Sequence, residues 1–334
     1  MNQGRLPNNG RSHFLPAELY PVVLCIIGVG LIGVMECLAA KNLTADAPLE
    51  QLFSYKLISY ANLLLIGATV LYVAHLWFTA RAVGFWATGL SAVGALGLVA
   101  GLVARGTETY FMHRTGHIAL TNLFEVMSLF SAITVVIYLV MERAYRTRSA
   151  GAFVMPIVAA TVLFEAWLAS NEEATSGDRF PILQNYFLHA HVLLNFVGYG
   201  AFTVAAAMGA TYLLREHAES RRPAQGFALR ALPDLSRIGH LMHQAISLGF
   251  PLFTLTMILG IASADEAWGR YWAWDPKEAW ALIVWVIYAS YFYLYYAKKW
   301  RGARMALLSI IGFSITVFCF LSANLCFSVL HFYT

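Results

Sequence analysis

The sequence predicts an all-α polytopic integral membrane protein, a helical bundle of about nine transmembrane spans with eight as the alternative. Three observations carry this. Hydrophobic residues make up 59% of the 334 positions and charged residues only 12%, whereas soluble domains carry about 25% charge. Mean hydropathy is +0.63, and the apolar residues fall into runs of roughly 20, the length needed to cross a hydrocarbon core of about 30 Å. Of the 22 Lys and Arg, 15 lie in the N-terminal segment and alternate connections (near 81, 142–151, 215–240 and 298–304), and 7 lie in the intervening ones. That bias predicts a cytoplasmic N-terminus and an outside C-terminus. An ordinary cytoplasmic enzyme is excluded, and the net charge of +4 is a topology signal, with no nucleic-acid partner implied.

Residues 1–18, with Arg5, Pro7, Arg11 and Pro16, read as a cytoplasmic tail, because no small-residue cleavage site follows a short apolar core. Spans are expected at 19–39, 57–80, 83–104, 121–141, 152–169, 188–214, 241–263, 278–297 and 305–330. The tightest connection is Thr79-Ala80-Arg81-Ala82; a single re-entrant hairpin there would leave the later orientation unchanged. Cys25, Cys37, Cys319 and Cys326 all lie in apolar stretches without a C-x-x-C pair, so neither a disulfide framework nor a thiolate metal site is indicated.

Chemically able residues collect on the expected outer side: His189 and His191 opening the sixth span, the run from Trp268 to Glu278, and His331 closing the ninth. Asp275 suits an N-cap, Pro276 the first helical position, and Glu278 the third, so the eighth span should start at Asp275. Trp268, Tyr271, Trp272 and Trp274 crowd the preceding loop, with Trp280 beyond it. Such a loop reads either as an aromatic belt at the headgroup level or as a platform for a flat apolar ligand. The helix start would also welcome carboxylates, a combination that haem satisfies. Haem iron is commonly held by histidine. His189 and His191 lie about 200° apart around a helix, so only one can face a given site. His75 is an ionisable residue within a span, which suggests function, although snorkelling or a bond to a neighbouring helix also explains it. His13, His217, His240 and His243 read as solvated or interfacial residues of the inner side.

The run Trp268-Gly269-Arg270-Tyr271-Trp272-Ala273-Trp274-Asp275-Pro276-Lys277-Glu278-Ala279-Trp280 resembles the WWD signature of haem-handling proteins of cytochrome c biogenesis. In particular it is similar to the CcsA (ResC) family of the system II pathway, with CcmC and CcmF as more distant relatives. The resemblance extends over roughly residues 110–334: Gly116-His117 with Leu120 to Glu125 is similar to the family's G-H-x-x-L-S-N-L-Y-E segment, and Leu248-Gly249-Phe250-Pro251 to its G-F-P. His191 and Tyr199 keep an H-x7-Y spacing, and Asn324 and His331 an N-x6-H spacing. It implies three regions: the tail 1–18, N-terminal transmembrane helices 19–109, and a CcsA-like haem-handling domain 110–334 with the outer loop at 264–280.

The family resemblance further implies that His191 and His331 are axial ligands of a non-covalently held haem b. The platform would comprise Trp268, Gly269, Tyr271, Trp272, Trp274, Asp275, Pro276, Lys277, Glu278 and Trp280, supported by the motif residues His117, Asn122, Glu125, Tyr199 and Asn324. The family's internal site has a histidine on the span after the loop; here Tyr293 stands at that position, so an internal site would use Tyr293 or His75. The implied activity is that of a cytochrome c haem lyase (synthase) component. It would work with a CcsB/ResB-type membrane subunit and an apocytochrome c carrying C-x-x-C-H, and a thioredoxin-like thiol reductant would act indirectly. The implied location is the bacterial plasma membrane, with the thylakoid membrane as the alternative and the active face extracytoplasmic. Two other readings stay open: a b-type cytochrome electron-transfer subunit and a haem transporter.

Overall fold

The computed structural model describes residues 52–78, 80–113, 120, 122–170, 186–221, 232–269, 271–272 and 274–321. Among them are eight α-helices and no strand: α1 (Phe53–Phe78), α2 (Arg81–His113), α3 (Leu123–Tyr145), α4 (Gly151–Ser170), α5 (Tyr186–Arg221), α6 (Leu235–Trp268), α7 (Pro276–Tyr296) and α8 (Ala303–Leu321). All eight contain a stretch long and apolar enough to cross a membrane. They correspond to the second through ninth expected spans; the first, 19–39, lies outside the described residues. Helices are the form this composition must take, because hydrocarbon cannot satisfy backbone N–H and C=O groups and a helix satisfies them internally.

Two helices depart from their expected bounds for a physical reason. Helix α2 continues past residue 104, where hydropathy stops, because Arg105 and Glu108 are buried with partners on other helices: Arg105 Nε lies 3.2 Å from Glu125 Oε1, and Ser54 Oγ donates to Glu108 Oε2 at 2.5 Å. Helix α6 starts at Leu235, where Asp234 caps it by accepting from Arg237 N at 3.1 Å. The connection near residue 80 joins two separate helices, α1 ending at Phe78 and α2 starting at Arg81.

The helices fall into two groups joined by α3 and α4. Helix α1 packs along α2 and α4; α3 touches α2, α4 and α5; α5 packs on α6 and α8, and α7 rests against α8 and α6. Small residues permit the closest approach, as lipid supplies no hydrophobic drive between helices. A Cβ added to Gly97 would lie 2.9 Å from that of Ala61 on α1. In the second group the Phe202 and Tyr288 rings stack 3.6 Å apart at 10°.

Alternating helix directions give the bundle two ends. The connections α1–α2, α3–α4, α5–α6 and α7–α8 share one, with Arg81, Arg143, Arg146, Arg148, Arg215, Arg237, Lys298, Lys299, Arg301 and Arg304 in or beside them. Contacts tie this basic end together: Arg237 donates to the Tyr145 carbonyl at 2.7 Å, and Arg215 to the carbonyls of Leu232 and Pro233. The α6–α7 connection, with its tryptophans, occupies the opposite end, together with the start of α5 and the end of α8.

Candidate functional site

Local sequence shapes the tryptophan loop. Helix α6 ends at Trp268, and Gly269 takes a left-handed conformation (φ 65°), its N–H donating to the Asp265 carbonyl at 2.8 Å. Glycine suits this because it lacks the Cβ that penalises positive φ. Helix α7 opens as its sequence requires: Asp275 is extended (φ −70°, ψ 162°), its carboxylate accepts from Glu278 N at 2.8 Å, and Pro276 occupies the first turn. Between the caps, Trp274 also adopts a left-handed conformation (φ 57°) and is 71% exposed.

The aromatic residues of the loop divide by environment. Trp272 meets Trp274 edge-on at 5.7 Å and 82°, and Trp280 packs on Phe318 of α8 at 4.6 Å. Tyr271 is exposed, and its hydroxyl bonds to Asp265, whose charge raises the phenol above its ordinary value. The Trp272 indole N–H is buried with no acceptor among the described residues. A buried donor left unpaired costs about 1–3 kcal/mol. Lys277 and Glu278 are half-buried at the start of α7.

His191 provides the second component. Its Nδ1 lies 2.8 Å from the Thr256 carbonyl on α6. A carbonyl can only accept, so Nδ1 carries the hydrogen and, in the neutral ring, Nε2 keeps its lone pair. The same arrangement orients metal-ligating histidines: one ring nitrogen is anchored to a carbonyl and the other left to the metal. No hydrogen bond to Nε2 is formed among the described residues. Gly260 makes the approach possible, since a Cβ there would lie 2.9 Å from His191 Cε1 and 3.0 Å from Nδ1. His189, two residues earlier, points to another side of α5.

Tyr199, two turns along from His191, is buried against Phe196, Phe253 and Phe320. The Phe320 contact brings the last turn of α8 against the fourth turn of α5. Asn324 and His331 follow α8 but lie outside the described residues, as does His117. Asn122 caps α3, accepting from Glu125 N at 2.9 Å, while the Glu125 carboxylate pairs with Arg105. Those two motif residues thus fix the entry of α3 at the tryptophan end.

The internal-site candidates are not brought together with this constellation. His75 Nδ1 lies 3.1 Å from the Ala80 carbonyl in the α1–α2 connection at the basic end. Tyr293, on α7, is 57% exposed on the outside of the bundle.

Three residues escaped sequence reasoning. Thr256 and Gly260 are one turn apart in an apolar run, and nothing local links them to a histidine 65 positions away. His243, expected to be solvated or interfacial, is buried: it stacks on Tyr295 at 3.7 Å and 6°, with Nε2 3.1 Å from the Tyr296 hydroxyl. The early start of α6 places it two turns inside the helix, facing the tyrosines of α7.

The described arrangement is that of a helical membrane protein with a capped tryptophan loop and an oriented histidine, and comparison with known proteins gives the class. Residues 120–331 match the family model of the cytochrome c assembly protein, and the chain belongs to that family. Among individual relatives it is similar to cytochrome c biogenesis protein CcsA of Gloeobacter violaceus, at 29% identity over 294 residues, covering 74% of this chain and 85% of the relative. CcsA of Synechococcus elongatus is 27% identical over 286 residues, with 73% and 88% covered. That of Heterosigma akashiwo is 31% identical over 244 residues, with 64% and 76% covered. Family membership gives the chain a role in cytochrome c biogenesis.

Proposed function

We propose that the chain is the haem-handling subunit of a cytochrome c synthase, binding haem b non-covalently at the tryptophan end and presenting it to apocytochrome c. The observation that carries this reading is the anchored tautomer of His191, whose Nδ1–H is engaged by Thr256 and whose Nε2 is left for iron. The family resemblance would make His331, which lies outside the described residues, the second iron ligand. Trp272, Trp274 and Trp280 offer flat apolar surface, and the unpaired Trp272 N–H and the half-buried Lys277 ammonium would favour an acidic side group. Residues and cargo fit: a ring nitrogen without a hydrogen, planar apolar surface and an unpaired N–H donor all lie at one end of the bundle.

Haem supplies two vinyl groups, across each of which a substrate thiol adds, sulfur bonding to one carbon and the thiol hydrogen passing to the other, so no oxidant is consumed. The protein's part is to hold and orient. Fixing the two reactants in one geometry can lower a barrier by as much as about 7–11 kcal/mol. The basic end would face the cytoplasm by the positive-inside bias, leaving the tryptophan end outside, in a bacterial plasma membrane or a thylakoid. A CcsB/ResB-type membrane subunit would complete the synthase, and a thioredoxin-like reductant would keep the substrate thiols reduced.

The test is haem content of the purified protein, measured by absorption and solvent extraction. Wild-type protein should carry haem with a bis-histidine spectrum, lost or altered in His191→Ala and in His331→Ala and largely kept in His189→Ala. Normal spectra in both of the first two variants would remove the ligand assignment. Reconstitution with a CcsB-type partner and apocytochrome c, scored by haem that survives denaturation on the product, tests the synthase step itself.

A further inference from the structure

The buried carboxylates of α1–α4 differ in what holds them. Glu125 pairs with Arg105. Glu142 accepts from the Tyr72, Tyr138 and Thr88 hydroxyls at 2.6, 2.7 and 2.6 Å and lies 3.5 Å from Arg148. Glu108 receives the Ser54 amide on one oxygen and the Ser54 hydroxyl on the other. Glu165 on α4 is fully buried, and both of its neighbours use the same oxygen: Asn62 Nδ2 on α1 and Ser128 Oγ on α3 each lie 2.9 Å from Oε1. Its Oε2 has no partner among the described residues, and neither has Asn62 Oδ1.

A count of hydrogens shows what is missing. Ser128 has one O–H but two acceptors within reach, Glu165 Oε1 and the Phe124 carbonyl at 3.1 Å. With Glu165 ionised, one of those contacts lacks a hydrogen, and Oε2 and Asn62 Oδ1 stay unsatisfied in an apolar interior. Such a charge is expensive there unless it is paired. Of the helices packed against α4, α1 presents Asn62 and α3 presents Ser128. Among the described residues, the two ion-paired cations of this group are committed elsewhere, Arg105 to Glu125 and Arg148 to Glu142. A hydrogen on Glu165 Oε1 cancels the charge and donates to Ser128 Oγ, which frees the Ser128 hydrogen for the Phe124 carbonyl; Oε2 is then an oxygen of a neutral acid, cheaper to bury than a carboxylate oxygen.

We propose that Glu165 is a membrane-buried proton-binding site, carried as the neutral acid between α1, α3 and α4 and exchanging its proton with the tryptophan end. Five residues separate it from the end of α4 at Ser170, about 7.5 Å along the helix. Loss of the proton leaves a charge that these three helices must relieve by admitting water or moving apart, so proton occupancy sets how tightly the α1–α4 group packs. The site stands apart from haem binding and does not rest on it.

Infrared difference spectroscopy on the full chain in detergent, with and without haem, tests this directly. At pH 7 the protein should show the carbonyl band of a protonated carboxyl, shifted in deuterium oxide, absent in Glu165→Gln and kept in Glu142→Gln. Glutamine mimics the neutral acid, so Glu165→Gln should retain wild-type thermal stability. As a second arm, dicyclohexylcarbodiimide should label Glu165: the carboxyl O–H adds across one C=N bond, its hydrogen passes to nitrogen, and rearrangement to the N-acylurea expels nothing. Peptide mass mapping should find that adduct in wild type and none at this position in Glu165→Gln. Absence of a protonated-carboxyl band at pH 7, a band unchanged in Glu165→Gln, or labelling of Glu142 in place of Glu165 would overturn the proposal.

Discussion

Apart from the Glu165 site, the two helix groups treat their buried charged and ring-nitrogen groups differently. In α1–α4 most polar side chains are closed upon one another: Arg105 with Glu125, Ser54 with Glu108, and Tyr72, Tyr138 and Thr88 around Glu142. In α5–α8 the polar atoms that matter are held open: the second nitrogen of an anchored His191 and the orphaned indole N–H of Trp272. A satisfied network rigidifies, whereas an unsatisfied donor or lone pair at one end of a bundle is a place for something else to bind. On the function proposed above, the contrast separates the group that positions the tryptophan end from the group that would receive haem.

The largest effect should come from breaking the closed group. Arg105→Ala leaves the Glu125 carboxylate buried without its cation, and such removals cost about 3–5 kcal/mol; thermal unfolding in detergent should show a marked loss. A change under about 1 kcal/mol would mean that the pair is screened and the first group less closed than described. On the open side, Gly260→Ala forces the His191 ring off its carbonyl, because the new methyl would lie 2.9 Å from Cε1. Haem retention should fall roughly tenfold, about 1.4 kcal/mol, and the spectrum should change. Unaltered haem binding would show that the anchoring of His191 is incidental.

Smaller effects sharpen the boundary. Asp275→Ala removes the cap of α7 and should cost about 1 kcal/mol of stability, with haem retention reduced less than in Gly260→Ala. Trp272→Phe keeps an aromatic face and deletes only the N–H. It should leave stability unchanged or slightly raised, since a buried unpaired donor disappears, while haem dissociates a few-fold faster. Faster haem loss without loss of stability is the signature of a donor reserved for a ligand.

The course of the chain was largely legible in the sequence, because the membrane imposes a length and a polarity on every span. The cap of α7 was legible as well: Asp275, Pro276 and Glu278 act over one turn. What stayed hidden depended on partners distant in sequence. The extension of α2 through Arg105 and Glu108 requires Glu125 and Ser54, 20 and 54 positions away, and hydropathy counts only the charge. The tautomer of His191 depends on a backbone carbonyl at Thr256 and on an absent side chain at Gly260. The family resemblance pointed to His191, and only the fold shows which of its nitrogens is committed.

Trp274 holds a left-handed backbone conformation while its ring stands 71% exposed. For an L-residue with a Cβ that conformation costs roughly 1–2 kcal/mol, and glycine would occupy it without penalty. A laboratory selection for heat tolerance alone, blind to pigment delivery, should therefore discard this tryptophan early. Its persistence in variants selected for cytochrome c assembly, set against its loss under thermal challenge, would measure how much robustness the protein forgoes for the pigment delivery proposed above.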